Sequence, residues 1–138
     1  MNKTLYIIRG IPGSGKSTLA KKLAERLGTE NHYEADMWFE TNGGFDPKKL
    51  KDAHQWCREM VEIAMGKGEP CILSNTSTQE WEMTPYKDHA ELYGYKVVQT
   101  TMRTNYGSIH RVPQSTIEAM QSRFEDQFGE VEPDELLK

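Results

Sequence analysis

Gly10, Gly15, Lys16 and Ser17 satisfy the spacing G-x-x-x-x-G-K-[ST], the densest concentration of chemistry in the chain. Gly10, Gly13 and Gly15 let the backbone turn its N–H groups inward around anionic oxygens, at the positive end of the helix that follows. Pro12 and Ser14 complete the loop. Lys16 supplies a point charge for β- and γ-phosphates, the Ser17 hydroxyl is a candidate Mg²⁺ ligand, and Thr18 falls beside the α-phosphate. Residues 10–18 are therefore expected to hold a nucleoside triphosphate, ATP with Mg²⁺.

Phosphoryl transfer needs positioning, charge neutralisation and a group that takes the acceptor's proton. Asp36, at the tip of the second strand-like segment, is the candidate base. Trp38 and Phe39 follow it and offer rings on which a base could stack, the alternative being that they close the core. Asn75, after the third strand, is a candidate partner for a water on Mg²⁺. His54 shares a helix face with Leu50, Cys57 and Val61 and reads as a packed core histidine. Cys57 and Cys71 lack the spacing of a redox or zinc motif and read as core filling.

These residues need elements to carry them. Leu5–Ile8 is a short apolar run, and Leu19, Ala20, Leu23, Ala24 and Leu27 recur at helical spacing up to Gly28, so the loop lies between a strand and a helix. Asn31–Glu34 reads as a second strand, and Asp46-Pro47 opens a long helix that stops at Gly66-Lys67-Gly68. Pro70–Leu73 is a third strand. An aromatic helix follows, ended by Gly94, and Tyr95–Met102 is a fourth strand. Ser115 and Glu118 have capping-box spacing for a last helix. This alternation predicts an α/β, three-layer P-loop NTPase fold: a parallel sheet of about four strands flanked by helices, with right-handed crossovers. Ligands gather at the carboxyl ends of such strands, so residues 10–17, Asp36, Ser74-Asn75 and Arg103 should converge on one edge.

The chain has 138 residues, enough for one domain. Its net charge of −4 is concentrated at one end: residues 1–124 hold sixteen basic against fifteen acidic side chains, while the last fourteen hold six acidic residues and Lys138. No basic stripe advertises non-specific nucleic-acid binding. Residues 1–128 are expected to form the working domain, and 129–138 an acidic tail, frayed or weakly helical. No apolar run reaches membrane-spanning length and no signal-peptide pattern opens the chain, so no membrane association and a cytoplasmic location are expected. Nothing in the pattern calls for an obligate protein partner.

Taken together, Gly10–Thr18, Tyr33-Glu34-Ala35-Asp36-Met37-Trp38-Phe39, Phe45-Asp46-Pro47 and Ala53-His54 with Trp56-Cys57 resemble the polynucleotide-kinase-like P-loop family. So do Ser74–Thr78 with Trp81 and Pro85-Tyr86, and Ile109–Pro113. That family includes the phage-type polynucleotide 5′-hydroxyl kinase domain and related AAA-type and zeta-toxin-like P-loop domains; the likeness runs from about Leu5 to Glu125. It implies transfer of the γ-phosphate of ATP to the 5′-hydroxyl of a nucleic acid or nucleotide, with Lys16 and Ser17 on ATP and Mg²⁺ and Asp36 as base.

Three departures accompany the likeness. The family generally has an Asp at one of the positions matching Ser74 and Asn75. It carries a lid helix with arginines where this chain has Thr104–His110, leaving Arg103 and Arg111 as candidate catalytic arginines. Phe39 stands where the phage-type kinase has a substrate-binding arginine. A small-metabolite kinase and a non-catalytic ATP-binding regulatory module are the competing expectations.

Overall fold

Alternate residues of the Leu5–Ile8 run bury on opposite faces, which is what places this segment at the centre of the molecule. A computed structural model of the protein describes residues 2–103, 113–127 and 129–138. Strand β1 (Thr4–Arg9) leads into α1 (Lys16–Leu27); β2 (His32–Tyr33) and the short α2 (Met37–Glu40) follow. After a 3₁₀ turn at Pro47–Lys49 come α3 (Leu50–Gly66), β3 (Cys71–Leu73), α4 (Glu80–Tyr93), β4 (Lys96–Thr101), α5 (Gln114–Arg123) and a 3₁₀ helix at Pro133–Leu137. The four strands form one parallel sheet in the order β2-β3-β1-β4, as the alternation of elements predicts.

Two cores sandwich this sheet. Leu5, Ile7, Cys71 and Leu73 face Ala53, Cys57, Val61 and Ala64 of α3 and Met83, Tyr86 and Ala90 of α4. Ile8 and Ile72 face Leu19, Ala20 and Leu23 of α1 and, beyond them, Leu136. The period of two in β1 and β3 and the helical spacing in α1, α3 and α4 thus meet in register. Burying a side chain of this size contributes roughly 1.5–3 kcal/mol.

Local signals hold at several ends. Gly28 and Gly94 adopt left-handed conformations as C-caps, with φ of 67° and 73°. The Asp46 side chain accepts a hydrogen bond from Lys48 N, 3.0 Å away, capping the turn that starts at Pro47. Elsewhere the expectations need correction. The Ser115–Glu118 capping box does not form: α5 begins at Gln114 with Pro113 at its N-cap and no side-chain cap, which leaves Ser115 inside the first turn. His54 and Leu50 are exposed, because α3 turns a narrower stripe of Ala53, Cys57, Val61, Ala64 and Met65 toward the sheet.

The acidic end of the chain, expected to be frayed or weakly helical, forms the 3₁₀ helix at Pro133–Leu137 and is ordered against the sheet. Val131 N donates to Gln99 O at 2.9 Å, the Thr100 hydroxyl donates to Val131 O at 2.6 Å, and Leu136 is buried in the α1-side core. Charge count alone hid Val131, Leu136 and Leu137, whose apolar bodies supply the attachment.

Candidate phosphate cradle and acceptor edge

Parallel pairing aligns the carboxyl ends of the strands, so the loops after β1, β2 and β3 open onto one edge. Gly10 N donates to Thr76 O at 3.2 Å and ties the phosphate loop to the segment after β3. Gly13 and Gly15 have φ of 83° and 89°, the left-handed region that a side chain would strain. Gly10 is constrained differently: a Cβ there would lie 2.4 Å from Ser14 Oγ and 3.1 Å from Met102 O. Pro12 is buried and Thr18 exposed.

The loop has the features of an anion cradle. Ser14 Oγ is buried without a hydrogen-bond partner, and Gly15 caps α1 with no side chain, so the first-turn amides of α1 meet no side-chain acceptor. Lys16 is held below its ordinary pKa, first by desolvation and against the pull of the Glu34 and Asp36 carboxylates. A half-buried ammonium near two carboxylates, beside helix amides that no side chain caps, suits the charged oxygens of a polyphosphate.

Glu34, which the sequence reading passed over, forms the other half of the site. Its Oε1 accepts hydrogen bonds from the Ser17 hydroxyl and, at 2.7 Å, from the Ser74 hydroxyl. His32 Nε2 lies 2.6 Å from Ser74 Oγ and 3.3 Å from Glu34 Oε1. Burial alone would raise the Glu34 pKa; hydrogen bonds from His32, Ser17 and Ser74 outweigh it and bring it down to about 2. The carboxyl is therefore ionised throughout the physiological range. A polar residue at the tip of a two-residue strand, two positions before Asp36, is the only signal the sequence offers for it.

Asp36 is exposed at the start of α2 and makes no side-chain cap hydrogen bond, and among the described residues its carboxylate has no hydrogen-bond partner; it acts on Lys16 across the cleft. Asn75 is committed elsewhere: Oδ1 accepts from Ala35 N at 2.8 Å, and Nδ2 reaches Cys57 Sγ at 3.7 Å. It pins the turn that presents Glu34 and Asp36, a positioning role the sequence did not suggest. Phe39 is also corrected. It is buried, with Trp38 and Phe45 each edge-on to it at 5.3 Å, and fills the core instead of offering a platform. Trp38 is half-buried against the same cluster and keeps part of its ring open.

His54 is exposed as a residue. Its imidazole pKa is lowered by desolvation and then by Arg58, with Glu82 and Asp36 acting the other way, which places the ring near the Asp36 side of the cleft. Arg103 is exposed at the end of β4 and pairs with Asp126 at 3.1 Å, a surface pair worth at most about 1 kcal/mol and so easily exchanged for another anion. Arg111 lies outside the described residues, as does the segment 104–110.

A second residue that sequence reasoning missed is Arg9, fully buried directly before Gly10. Its Nε donates to Ser77 O at 2.9 Å and one terminal nitrogen to Thr78 O at 3.0 Å. The other terminal nitrogen lies 3.4 Å from Glu130 Oε2, and the guanidinium stacks 4.2 Å from the centroid of Phe124. Arg9 thus clamps the phosphate loop, the segment after β3 and the acidic end of the chain. Ser77, at φ of 49°, is the one non-glycine residue with positive φ among the described residues, and it turns its carbonyl toward Arg9.

The chain was compared with known proteins and structures. NEDD4-binding protein 2 of Homo sapiens is 40% identical over 97 residues, covering 68% of this chain and 6% of that protein. The 2′,3′-cyclic-nucleotide 3′-phosphodiesterase of Rattus norvegicus is 29% identical over 109 residues, covering 74% and 24%. The chain therefore spans less than a quarter of the length of these relatives. A sugar kinase from Janibacter superposes with a TM-score of 0.70 at 16% identity, over 98% of this chain and 90% of that one. A chain of the Pnkp1/Rnl/Hen1 RNA repair complex gives 0.69 at 16% identity, over 90% of this chain and 45% of that one. At such identities the likeness is one of fold, and the fold is that of P-loop kinases. The family model described as AAA domain matches residues 5–105, from the second residue of β1 to beyond β4, and the chain belongs to that family.

Proposed function

We propose that the chain is an ATP- and Mg²⁺-dependent phosphotransferase that moves the γ-phosphate onto a hydroxyl, the 5′-hydroxyl of a polynucleotide or nucleotide. The observation that carries this reading is the exposed Asp36 carboxylate, with no side-chain cap bond, within Coulombic reach of Lys16 across a glycine cradle. The residues fit the groups they would hold. Backbone amides of residues 10–17 and Ser14 Oγ receive phosphate oxygens, Lys16 neutralises the outer phosphates, and Thr18 lies by the inner one. Ser17 and Glu34 present hard oxygen donors of the kind Mg²⁺ takes, and when bound that ion neutralises charge on the phosphates.

Asp36 accepts the proton of the incoming hydroxyl as the new oxygen–phosphorus bond forms and ADP departs. Arg103 and Arg111 are the arginines available to offset charge on the transferring group. Trp38 is the aromatic left for an acceptor base. The names of two relatives in fold or sequence, an RNA repair complex and a cyclic-nucleotide phosphodiesterase, favour a nucleic-acid or nucleotide acceptor.

A small-metabolite acceptor is the second reading, favoured by the near-neutral body of the domain and by the matching length of the sugar kinase. Labelled ATP incubated with hydroxyl-ended oligonucleotides, nucleosides and sugars tests both. Transfer to oligonucleotides, with acceptor binding that weakens steeply as salt rises, supports the first. Transfer to sugars alone establishes the second; ATP binding with no transfer to any acceptor overturns both and leaves a nucleotide-binding module.

A further inference from the structure

Resting on the phosphotransferase reading, we propose that Glu34 is the metal-positioning carboxylate of this site, supplied from the end of β2 where related kinases supply an aspartate from the end of β3. A hydroxyl that ligates a cation turns a lone pair to the metal and must place its proton on another acceptor. Ser17 has one: its O–H donates to Glu34 Oε1. That bond fixes the hydroxyl rotor and raises the oxygen's donor strength, the way partners of metal ligands commonly act.

The end of β3 supports this arrangement. Ser74, only 1% exposed, carries no charge, and its hydroxyl donates to Glu34 at 2.7 Å. His32 Nε2–H then donates to Ser74 Oγ at 2.6 Å, closing a chain from β2 to β3 and back. The Asn75 amide oxygen accepts a hydrogen bond from Ala35 N. Three groups thus converge on Glu34 Oε1, while among the described residues none donates to Oε2. One oxygen is anchored by protein, and the other is open to a metal-bound water. Mg²⁺ keeps several waters and needs only one or two protein carboxylates beside its phosphates, so a single glutamate in this position suffices.

The test is calorimetric titration of a non-hydrolysable ATP analogue into wild type and Glu34→Gln, in EDTA and over a series of Mg²⁺ concentrations. In EDTA both should bind the analogue, E34Q at least as tightly because a negative charge beside the triphosphate is gone, which shows that the cradle is folded. The Mg²⁺ concentration that half-maximally strengthens binding should rise about 10- to 100-fold in E34Q. Mn²⁺ paramagnetic resonance on the nucleotide complex should show the same loss. An unchanged metal dependence in E34Q overturns the proposal. If E34Q fails to bind the analogue in EDTA, Glu34→Asp is measured instead: its retracted carboxylate should give a weakened metal response, and an unchanged one overturns the proposal equally. A wild-type chain whose analogue binding is strengthened by Mg²⁺, but which phosphorylates no hydroxyl, would sink the kinase reading alone, since the E34Q curve still decides the metal assignment.

Discussion

Glu34 is, among the described residues, the carboxylate whose ionisation is most strongly set by its surroundings, and the consequence is measurable. Folded, its pKa falls to about 2 from an ordinary value of 4.5, so the folded state binds its proton less tightly than the unfolded chain does. The stability this carries is complete above about pH 4.5 and is lost as pH falls toward 2. Its size is on the order of 3 kcal/mol. Urea unfolding at pH 7 and pH 3 should show a larger loss in wild type than in Glu34→Gln; equal losses would contradict the hydrogen-bonded cluster. Burial drives the two thiols the other way, Cys57 to about 11 and Cys71 to about 12, which makes both inert filling at neutral pH.

At the scale of elements, α2 is a four-residue helix held by tertiary contacts. Asn75 pins its entry and Phe39 anchors its body, leaving Asp36 exposed between them. Two adjacent aromatics should therefore separate in their effects. Phe39→Ala should cost about 3–5 kcal/mol in chemical unfolding, whereas Trp38→Ala should cost less and raise the acceptor's KM. The opposite order would return Phe39 to the binding surface.

Much of this scale was legible in the sequence. Periods of two and of 3.6, Gly28 and Gly94 as stops, and the Asp46 cap are local signals, and local chemistry realises them. The phosphate loop was legible for the same reason, being a contiguous motif. Glu34 and Arg9 were not legible, because their meaning comes from partners distant in the chain: Ser74 for the first, Ser77, Thr78 and Glu130 for the second. A lone charge at a strand end reads as solvent-facing until the fold supplies those partners. For Phe39 the sequence left stacking and core closure open for the same reason, and its contacts belong to the scaffold.

Across the whole molecule, the acidic end acts as part of the domain. Glu130 accepts hydrogen bonds from Gln99 at 2.7 Å and from Thr101 at 2.7 Å as well as pairing with buried Arg9, so its removal strands a buried guanidinium directly behind the phosphate loop. Deleting residues 129–138 should lower unfolding stability by about 3–5 kcal/mol and weaken nucleotide binding with it. A truncated chain as stable as the full one would show that the tail merely rests on the sheet. Among the described residues no helix is long and apolar enough to cross a membrane.

The central claim is that Lys16 and its loop hold the triphosphate while Asp36 takes the acceptor's proton. Single-turnover transfer of labelled γ-phosphate to a 5′-hydroxyl oligonucleotide, compared between wild type and Asp36→Asn with ATP affinity measured on both, tests it most directly. The substitution should lower the transfer rate roughly 10²- to 10⁴-fold at unchanged ATP affinity. An Asp36→Asn chain that transfers phosphate at the wild-type rate would contradict it.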